Sequence, residues 1–345
     1  MSGAGPLVPP AGLTVAIPTY RRPGAVARAL RAVLAEAGAC REDGAGPGGP
    51  VEVLVIDNDP DGSAREAVAT AAGGALGAGS ARDAGAGPGA AGGPGAADGP
   101  GAAVRYVVEP SPGVSAVRNR ALDETAGRAL LVFIDDDEEP EAGWLRRLLS
   151  TRRDTGAAAV AGLVVPDYEA EPGPWLRAGG FFDRQSWPTG ARRPVAATNN
   201  LLLDLGAVRA AGLRFDEAFG ATGGEDALFT RSLVAAGGVI VWCDEARVRD
   251  RVPAARLERA WVLRRRRSHA ATAVRVELAL GGAPARVRVR AALGGGARIL
   301  AGSAAAGGLE GGLRRRARGA RLLARGRGML DAALDRPGHR EYGQR

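Results

Sequence analysis

The sequence predicts an α/β fold, a mostly parallel sheet flanked by helices, on two observations. Short segments that are apolar throughout alternate along the chain with stretches of helical periodicity. Uniformly apolar strands are typical of sheets buried on both faces, and strand–helix alternation places successive strands parallel to each other. With 345 residues, 46% of them apolar, the chain is long enough to bury such a core.

The first part of the chain contains the clearest alternation. We predict strands over 13–18, 51–57, 104–109 and 129–135. Helices are predicted over 24–38, from near Ser63, over 114–126 and over 140–149. Because ligands bind beyond the carboxyl ends of the strands in such sheets, Thr19, Asp57 and Asp135–Asp137 should lie together along one edge.

Beyond residue 150 the alternation is less regular. We predict a strand over 157–166, an aromatic-containing loop over 174–187, a turn, strand and helix over 196–212, a helix over 225–237 and a strand over 239–246. From about residue 254 the chain has helical periodicity, so we divide it into a domain over 13–250 and an arginine-rich, mainly helical region over 251–345. Breaks in these C-terminal helices are predicted at 281–284, 294–296 and 307–312.

Two segments lack the composition of a packed domain. Residues 73–103 contain 12 Gly, 11 Ala and 3 Pro among 31 positions, too little apolar surface to order the chain. We predict a flexible surface insertion there and a disordered N-terminus over 1–12. The N-terminus has no charged segment followed by an apolar core, and no uncharged apolar run approaches membrane-spanning length. We therefore expect no signal peptide and a cytoplasmic location, with peripheral contact at the inner face of the cell membrane left open.

The net charge of +8 is unevenly distributed. Residues 251–345 contain 22 Arg against 6 acidic residues, whereas residues 1–250 carry a net charge of −8. A basic segment attached to an acidic domain suggests an anionic partner, either phospholipid or nucleic acid. The alternative is a solvated surface that reflects a compositional bias towards Ala, Gly, Arg and Pro, since the chain contains no lysine.

The segment 131-LVFIDDDEEPEAGWL-145 places five consecutive carboxylates at the end of an apolar strand. Unpaired charge is unfavourable beside a buried strand, and Mg²⁺ and Mn²⁺ prefer carboxylate and phosphate oxygens. A cation held by one or two carboxylates usually completes its shell with substrate phosphates. We favour this interpretation for Asp135 and Asp137, whereas Glu138, Glu139 and Glu141 also fit an acidic cap of the following helix.

A second candidate site lies in 222-TGGEDALFTRSL-233. Two glycines let the backbone approach a ligand closely, and Glu225 and Asp226 follow at the start of a helix. A carboxylate in that position can accept the proton of a hydroxyl nucleophile. Taken alone, the motif favours ordinary capping of a helix by acidic residues.

Five motifs in register resemble family 2 glycosyltransferases, which have the Rossmann-like GT-A fold. In chain order they are 15-VAIPTYRRP-23, 53-VLVIDNDPDGS-63, 109-EPSPGVSAVRNRAL-122, 132-VFIDDDEEPEAGWL-145 and 223-GGEDALFTRSL-233. The resemblance covers roughly residues 13–250. Through FIDDDEEP, TNNLLL and VIVWCDEA it extends to bacterial exopolysaccharide transferases of the succinoglycan-biosynthesis type. It implies a hexosyltransferase-type enzyme that uses a nucleotide-sugar donor.

The resemblance also implies roles for single residues. Asp57 would recognise the base, which is uracil in most family members. Asp137 and Asp135 would bind Mn²⁺ or Mg²⁺, and Asp226, with Glu225 beside it, would supply the catalytic base. The residues implied in nucleotide binding are Pro18, Thr19, Tyr20, Asp57, Gly113, Arg118, Asn119, Asp135 and Asp136.

The implied reaction is a single displacement that inverts the anomeric carbon of a UDP-linked donor. The acceptor would be a glycan or polyprenyl-linked hydroxyl in exopolysaccharide or cell-envelope glycan synthesis. Processive family members carry a Gln-x-x-Arg-Trp motif after the Glu-Asp pair, and the nearest stretch here is 260-AWVLRRRRSH-269, so we expect one sugar to be added. His269 lies where some GT-A enzymes place a metal ligand, but we favour a surface histidine.

Two other function classes remain as alternatives. A metal-dependent nucleotidyltransferase would need a glycine-rich phosphate loop after the first strand, and 18-PTYRRPG-24 is a poor match. A nucleic-acid-binding protein would use the basic tail, but this leaves the acidic cluster unexplained, and the tail has few aromatic residues for base stacking. Both alternatives therefore rank below sugar transfer.

Overall fold

The structure is a computed structural model that describes residues 12–42, 51–73, 102–281, 283–307 and 312–337. The predicted disordered N-terminus over 1–12 and the predicted insertion over 73–103 therefore lie outside the described residues, apart from their ends.

Within the described residues, strands and helices alternate as predicted over the first half. The strands β1 to β9 are Leu13–Thr19, Val51–Asp57, Ala103–Val108, Leu130–Ile134, Glu138–Pro140, Ala159–Tyr168, Arg192–Arg193, Asn200–Asp204 and Ile240–Val252. The helices α1 to α10 are Pro23–Glu42, Arg65–Ala71, Val114–Glu124, Trp144–Thr155, Pro174–Gly179, Leu205–Ala210, Glu225–Ala235, Arg259–Ala279, Pro284–Gly307 and Leu313–Ala333. Short 3-10 turns lie at Glu217–Phe219 and Ala254–Leu257.

The strands form one mixed sheet in the order β3-β2-β1-β4-β8-β6-β9-β5, with β7 paired to β9. Strands β1 to β4 are parallel to one another. Strand β8 is antiparallel to both β4 and β6, and β6 is parallel to β9. The prediction of a mostly parallel sheet flanked by helices is confirmed.

The two faces of the sheet are both buried, which explains why the strands are apolar throughout. Along β1, Val15 and Ile17 face the core that packs against α1, α2 and α4. Ala16, between them, faces a second core formed with α3, α6 and α7. Because successive side chains of a strand point to opposite faces, a sheet covered on both sides needs apolar residues at every position.

Three sequence predictions of secondary structure are wrong. The loop predicted over 174–187 begins with the short helix α5, which Pro174 starts and Gly180, in a left-handed conformation, ends. The helix predicted over 140–149 begins at Trp144 instead, because Glu138–Pro140 pairs antiparallel with β9 and Gly143 takes a left-handed conformation before the helix. The break predicted at 294–296 is absent, since α9 continues through three consecutive glycines. The breaks predicted near 281–284 and 307–312 do separate α8, α9 and α10.

Gly295 and Gly302 of α9 lie where this helix packs backbone to backbone against the antiparallel α10. A Cβ added at Gly295 would meet the carbonyl oxygen of Gly326 at 2.9 Å, and one at Gly302 would meet that of Gly319 at 2.8 Å. On α10, a Cβ at Gly326 would lie 2.6 Å from the carbonyl oxygen of Gly295. Tertiary packing therefore outweighs the poor helix propensity of glycine here.

This packing predicts opposite effects for two glycine-to-alanine changes on the same helix. Gly302→Ala forces apart two backbones and should lower the free energy of unfolding by about 1–3 kcal/mol. Gly296→Ala enters open space and should raise it by about 1 kcal/mol through helix propensity. Urea denaturation of both variants, followed by circular dichroism, measures the difference. Changes of the same sign would contradict the close-packed interface.

The C-terminal helices also pack against the sheet domain. Val262 of α8 and Ala317 of α10 share a small core with Trp175 and Phe181, whose rings stack at 4.8 Å between centroids. Arg267 joins α8 to α10 through Asp331, with Nε 2.6 Å from Oδ2. Among the described residues, no helix is both long enough and apolar enough to cross a membrane.

Candidate active site

The carboxyl ends of β1 and β4 meet at one edge of the sheet, as the sequence predicts. The Thr19 hydroxyl at the end of β1 donates a hydrogen bond of 2.8 Å to Oδ2 of Asp136, a residue 117 positions away. The Asp136 carboxylate also accepts from Nη1 of Arg22 at 3.0 Å. Asp136 is 6% exposed, so its buried carboxylate holds Thr19 and Arg22 in place at this edge.

Asp137 lies on the outer side of the same edge, between two arginines. Its Oδ2 is 3.2 Å from Nη1 of Arg22 and 3.1 Å from Nη2 of Arg256. Arg22 follows β1, whereas Arg256 lies in the 3-10 turn after β9. The two guanidinium groups therefore flank the carboxylate that the resemblance assigns to the metal.

Asp135 connects the strand edge to the start of α7 through Arg118. Nη2 of Arg118 lies 3.9 Å from Oδ1 of Asp135, and its Nη1 donates a very short hydrogen bond to Oε1 of Glu225. The Arg118 and Glu225 side chains are 5% and 3% exposed. Burial raises the pKa of Glu225, although Arg118 opposes that shift.

Asp226 follows Glu225 at the first turn of α7 but differs in exposure. Its side chain is half-buried, and its Oδ1 accepts a hydrogen bond of 2.6 Å from the backbone N–H of Ala227. Glu225 turns inward to Arg118, whereas Asp226 keeps contact with solvent. Of the two acids, Asp226 is the one that a substrate hydroxyl can reach.

Asp57, predicted to recognise the base, is fully buried at the end of β2. Its Oδ1 accepts from the backbone N–H of Asp59 at 2.9 Å. Its Oδ2 accepts from the N–H of Ala64 at 2.9 Å and from the Tyr106 hydroxyl at 2.7 Å. In the structure this carboxylate therefore shapes the turn between β2 and α2.

The other residues predicted to cover the nucleotide build the loops around this edge. Gly113 has a φ of 111°, which favours glycine, and a Cβ there would lie 3.1 Å from the carbonyl oxygen of Gly220. The Asn119 side chain accepts a hydrogen bond of 2.8 Å from the backbone N–H of Phe215 and donates one of 2.9 Å to the carbonyl oxygen of the same residue. Pro18 and Tyr20 are half-buried on either side of Thr19.

The edge has an excess of buried negative charge. Burial and the neighbouring Asp137 and Asp136 raise the pKa of Asp135 to about 7, although Arg118 opposes the shift and the side chain keeps 39% exposure. Burial likewise raises the pKa of Glu138 well above its usual value, with Asp135 and Asp250 contributing. Such a cluster fits a cation that neutralises it.

The oxygen donors at this edge suit a hard divalent cation, and the site leaves part of its shell to other ligands. Asp135 and Asp137 provide carboxylates at this edge, with side chains that are 39% and 19% exposed. Among the described residues, no three side chains of the usual ligand types converge into a complete metal site. This arrangement fits Mg²⁺ or Mn²⁺ held by one or two carboxylates and completed by phosphate and water.

Four residues of this edge lay outside the predicted site. Glu138 belongs to β5, where Asn199 donates to its Oε1 at 2.6 Å, so it does not cap α4. Asp250 of β9 lies opposite Glu138 in the sheet and bonds Nη2 of Arg184 at 2.9 Å. Arg22 and Arg256 complete the group. Glu138 lies within the acidic run and Arg22 directly after the first strand, whereas Asp250 and Arg256 have no comparable signal in the sequence.

His269 and two tryptophans of the segment 174–187 lie in ordinary structural environments. His269 is exposed on α8 near Arg184 and Arg266, in agreement with a surface histidine. Trp175 stacks on Phe181, and Trp187 packs edge-on against Trp242 at 5.0 Å.

Residues 97–211 match the family model described as glycosyl transferase family 2. The chain is thus similar to family 2 glycosyltransferases over about a third of its length. It is also 40% identical over 164 residues to the succinoglycan biosynthesis protein ExoM of Rhizobium meliloti, an alignment that covers 47% of this chain and 52% of that protein. The chain thus spans about half the length of this curated relative.

A solved mannosyltransferase structure shares the fold of this chain. The mannosyltransferase PcManGT from Pyrobaculum calidifontis, solved in complex with GDP-Man and Mn²⁺, aligns with a TM-score of 0.56 at 18% identity. The alignment covers 96% of this chain and 89% of the mannosyltransferase. TarS residues 1–349 from S. aureus align at 12% identity and a TM-score of 0.49, over 77% of this chain and 64% of theirs.

Proposed function

We propose that the protein is an inverting glycosyltransferase that moves a sugar from a nucleotide-sugar donor to an acceptor hydroxyl. The observation that carries the proposal is the bridge from Asp135 through Arg118 to Glu225, which links the strand-end carboxylates to the start of α7, where the half-buried Asp226 lies. A cation-binding edge and a proton acceptor on two sides of one cleft are what single displacement at a sugar carbon requires.

The donor binds at the carboxyl ends of β1, β2 and β4. Thr19 and Tyr20 line the nucleoside side, and the turn shaped by Asp57 positions the base, for which we propose uracil. Asn119 acts as a positioning residue, because its side-chain amide forms two hydrogen bonds with the backbone of Phe215. Arg22 and Arg256 are placed to bind the diphosphate, since guanidinium groups pair well with phosphate oxygens.

Asp135 and Asp137 would hold Mn²⁺ or Mg²⁺ at this edge. The bound cation would offset the negative charge of the diphosphate leaving group. The PcManGT complex, which contains Mn²⁺ and GDP-Man, supports a divalent cation and a nucleotide sugar as ligands of this fold. Asp136 does not face the cleft, and it braces Thr19 and Arg22 instead.

Asp226 accepts the proton of the acceptor hydroxyl as the hydroxyl oxygen attacks the anomeric carbon. The new bond forms opposite the leaving diphosphate, so an α-linked donor yields a β-linked product. Glu225 does not touch the substrate in this scheme. It holds Arg118, which sets the spacing between the start of α7 and the end of β4.

The acceptor is proposed to be a glycan or polyprenyl-linked hydroxyl in exopolysaccharide or cell-envelope synthesis, with one sugar added. The relation to ExoM supports the process, and the missing Gln-x-x-Arg-Trp motif supports a single addition. Such an acceptor places the protein in the cytoplasm, in peripheral contact with the inner face of the cell membrane.

The proposal predicts metal-dependent turnover of a nucleotide sugar. The full chain is incubated with a panel of UDP- and GDP-sugars, with and without Mn²⁺, and release of nucleoside diphosphate is followed. Asp137→Ala should reduce turnover by about 10²-fold or more, because the leaving diphosphate loses its cation. Asp154→Ala, at a carboxylate that is 65% exposed on α4, is the matched control and should act as wild type.

Two results would oppose this proposal. Equal turnover by wild type and Asp137→Ala would show that Asp137 does not bind a metal ion needed for the reaction. Release of sugar 1-phosphate in place of nucleoside diphosphate would indicate nucleotidyl transfer, because attack on the α-phosphate of a nucleotide sugar breaks the bond between its two phosphates.

A further inference from the structure

Helix α9 exposes a continuous apolar stripe to solvent. Val289, Leu293 and Leu300 are 58%, 71% and 74% exposed, values unusual for large apolar side chains. Their spacing of four and seven residues puts them on one side of the helix. Exposed alanines at 297, 301 and 304 continue the same side.

The opposite side of α9 already has its partners. Val287 and Ala291 are buried in a core shared with α8 and α10, and Gly302 packs directly against α10. The helix is therefore apolar around most of its circumference. Such a helix is usually buried on all sides, yet the described residues place nothing on the outer stripe.

Arginines mark both ends of the stripe. Arg286 and Arg290 are exposed at its N-terminal end, where with Val289 and Leu293 they line a shallow groove. At the other end, Gly319 of α10 packs against the backbone of Ala306, so the exposed Arg314 and Arg315, which precede it in the first turn of α10, lie near the C-terminal end of α9. An apolar strip bounded by cations matches the layout of helices that lie in the surface of an anionic bilayer.

We propose that the outer face of α9, formed by Val289, Leu293 and Leu300 with the flanking arginines, docks onto an anionic phospholipid surface. The helix lies in the plane of the membrane, with the three apolar side chains among the acyl chains and the guanidinium groups at the phosphates. The C-terminal helices thereby attach the sheet domain to the bilayer.

Two other occupants fit this face less well. A second copy related by a twofold axis would bring the stripe of one chain against the same stripe of the other. The arginines occur at both ends of the stripe, so either orientation sets cations against cations. Nucleic acid would find phosphate partners at the ends only, with an apolar surface free of aromatic side chains between them.

The inference goes beyond the proposed transfer reaction and rests on different residues. Membrane docking involves α9, whereas sugar transfer involves the strand edge and α7. Failure of one therefore leaves the other standing, and vesicle binding with turnover distinguishes them.

Vesicle flotation of the full chain tests the proposal. Vesicles are prepared from phosphatidylcholine alone and from equal parts phosphatidylcholine and phosphatidylglycerol. Leu293→Gln with Leu300→Gln should weaken binding to the anionic vesicles roughly tenfold or more, since two apolar side chains lose their transfer into lipid. Arg286→Gln with Arg290→Gln should weaken it roughly fivefold or more, because each arginine near the surface adds to the attraction.

Matched controls separate this surface from general effects. Leu334→Gln changes a leucine that is 59% exposed and lies outside the stripe. Its neighbour Asp335 pairs with Arg288, on the side of α9 opposite the stripe. Arg153→Gln with Arg177→Gln removes two exposed arginines of the sheet domain. Both controls should float like wild type. Asp226→Asn should also float like wild type, whereas the Leu293 and Leu300 double variant should keep nucleotide-sugar turnover.

Binding to anionic vesicles that falls with the stripe variants and not with the controls supports the proposal. Unchanged flotation of the leucine double variant would overturn it. Failure of the wild-type chain to bind either kind of vesicle would also overturn it. So would a dimeric mass of the wild type in solution that becomes monomeric in the leucine double variant, because the stripe would then be a contact between two copies. Equal loss of binding in the Arg153 and Arg177 control would reduce the effect to net charge and would likewise count against the stripe.

Discussion

Asp226→Asn should lower the rate of sugar transfer by about 10²–10⁴-fold while leaving donor binding in place. The amide keeps the size of the side chain but cannot accept the proton of the attacking hydroxyl. Because Asp226 is half-buried at the start of α7 and apart from the buried Arg118–Glu225 pair, its replacement should leave the fold intact. Turnover of nucleotide sugar and equilibrium binding of nucleoside diphosphate are measured on the same preparation.

The control for this variant is Asp154→Asn, an amide substitution at an exposed acid of α4. It should transfer sugar at the wild-type rate. Transfer by Asp226→Asn at the wild-type rate would show that another group accepts the proton. Loss of donor binding along with turnover would instead place Asp226 in the donor site.

Arg118→Met should lower the free energy of unfolding by about 3–5 kcal/mol, because it leaves a buried charge without its partner. Arg118 pairs with Glu225, and both side chains are nearly inaccessible to solvent. The second carboxylate oxygen of Glu225, Oε2, has no hydrogen-bond partner among the described residues, so the arginine carries the whole compensation. Urea denaturation measures the loss.

The matched control is Arg214→Met. Arg214 forms two hydrogen bonds with Asp123, at 2.6 and 2.8 Å, but both side chains are more than half exposed. An exposed pair of this kind contributes about 0–1 kcal/mol. Combining Arg118→Met with Glu225→Met should recover much of the lost stability, since the unpaired charge of Glu225 is then removed as well. A loss of equal size in Arg118→Met and Arg214→Met would contradict this account of the buried pair.

The sheet was predictable because burial on both faces leaves a direct trace in the sequence. Val51–Asp57 forms β2 with the predicted bounds, and β1 and β4 differ from prediction by at most one residue at either end. Each of these strands needs apolar side chains at every position, so the signal does not depend on long-range information. Short strands such as Glu138–Pro140 lack it, because their charged residues pair only at the edge of the finished sheet.

The glycine triplet of α9 shows the opposite situation. Local propensity favours a break at 294–296, and the sequence offers no sign that a second helix will approach to backbone distance. The compensating glycines of α10 lie some thirty residues later and become meaningful only once the two helices are antiparallel. The packing of α9 against α10 therefore explains why the helix continues through 294–296.

The candidate site was predictable in its carboxylates and incompletely in its cations. Asp135, Asp136 and Asp137 stand out because five acids follow an apolar strand. Arg256 does not, since it approaches Asp137 from 119 residues away through the turn after β9. The Glu-Asp motif alone does not distinguish its two acids. In the structure Glu225 is buried against Arg118, whereas Asp226 is accessible to solvent.

Cation-dependent nucleotide binding at the strand edge is measured by calorimetric titration of UDP and GDP into the full chain, with Mn²⁺ and with a chelator. At least one nucleotide should bind roughly tenfold or more tightly when Mn²⁺ is present, and Asp137→Ala should abolish this difference. Equal affinity with and without the cation, or a cation effect that survives in Asp137→Ala, would contradict this prediction.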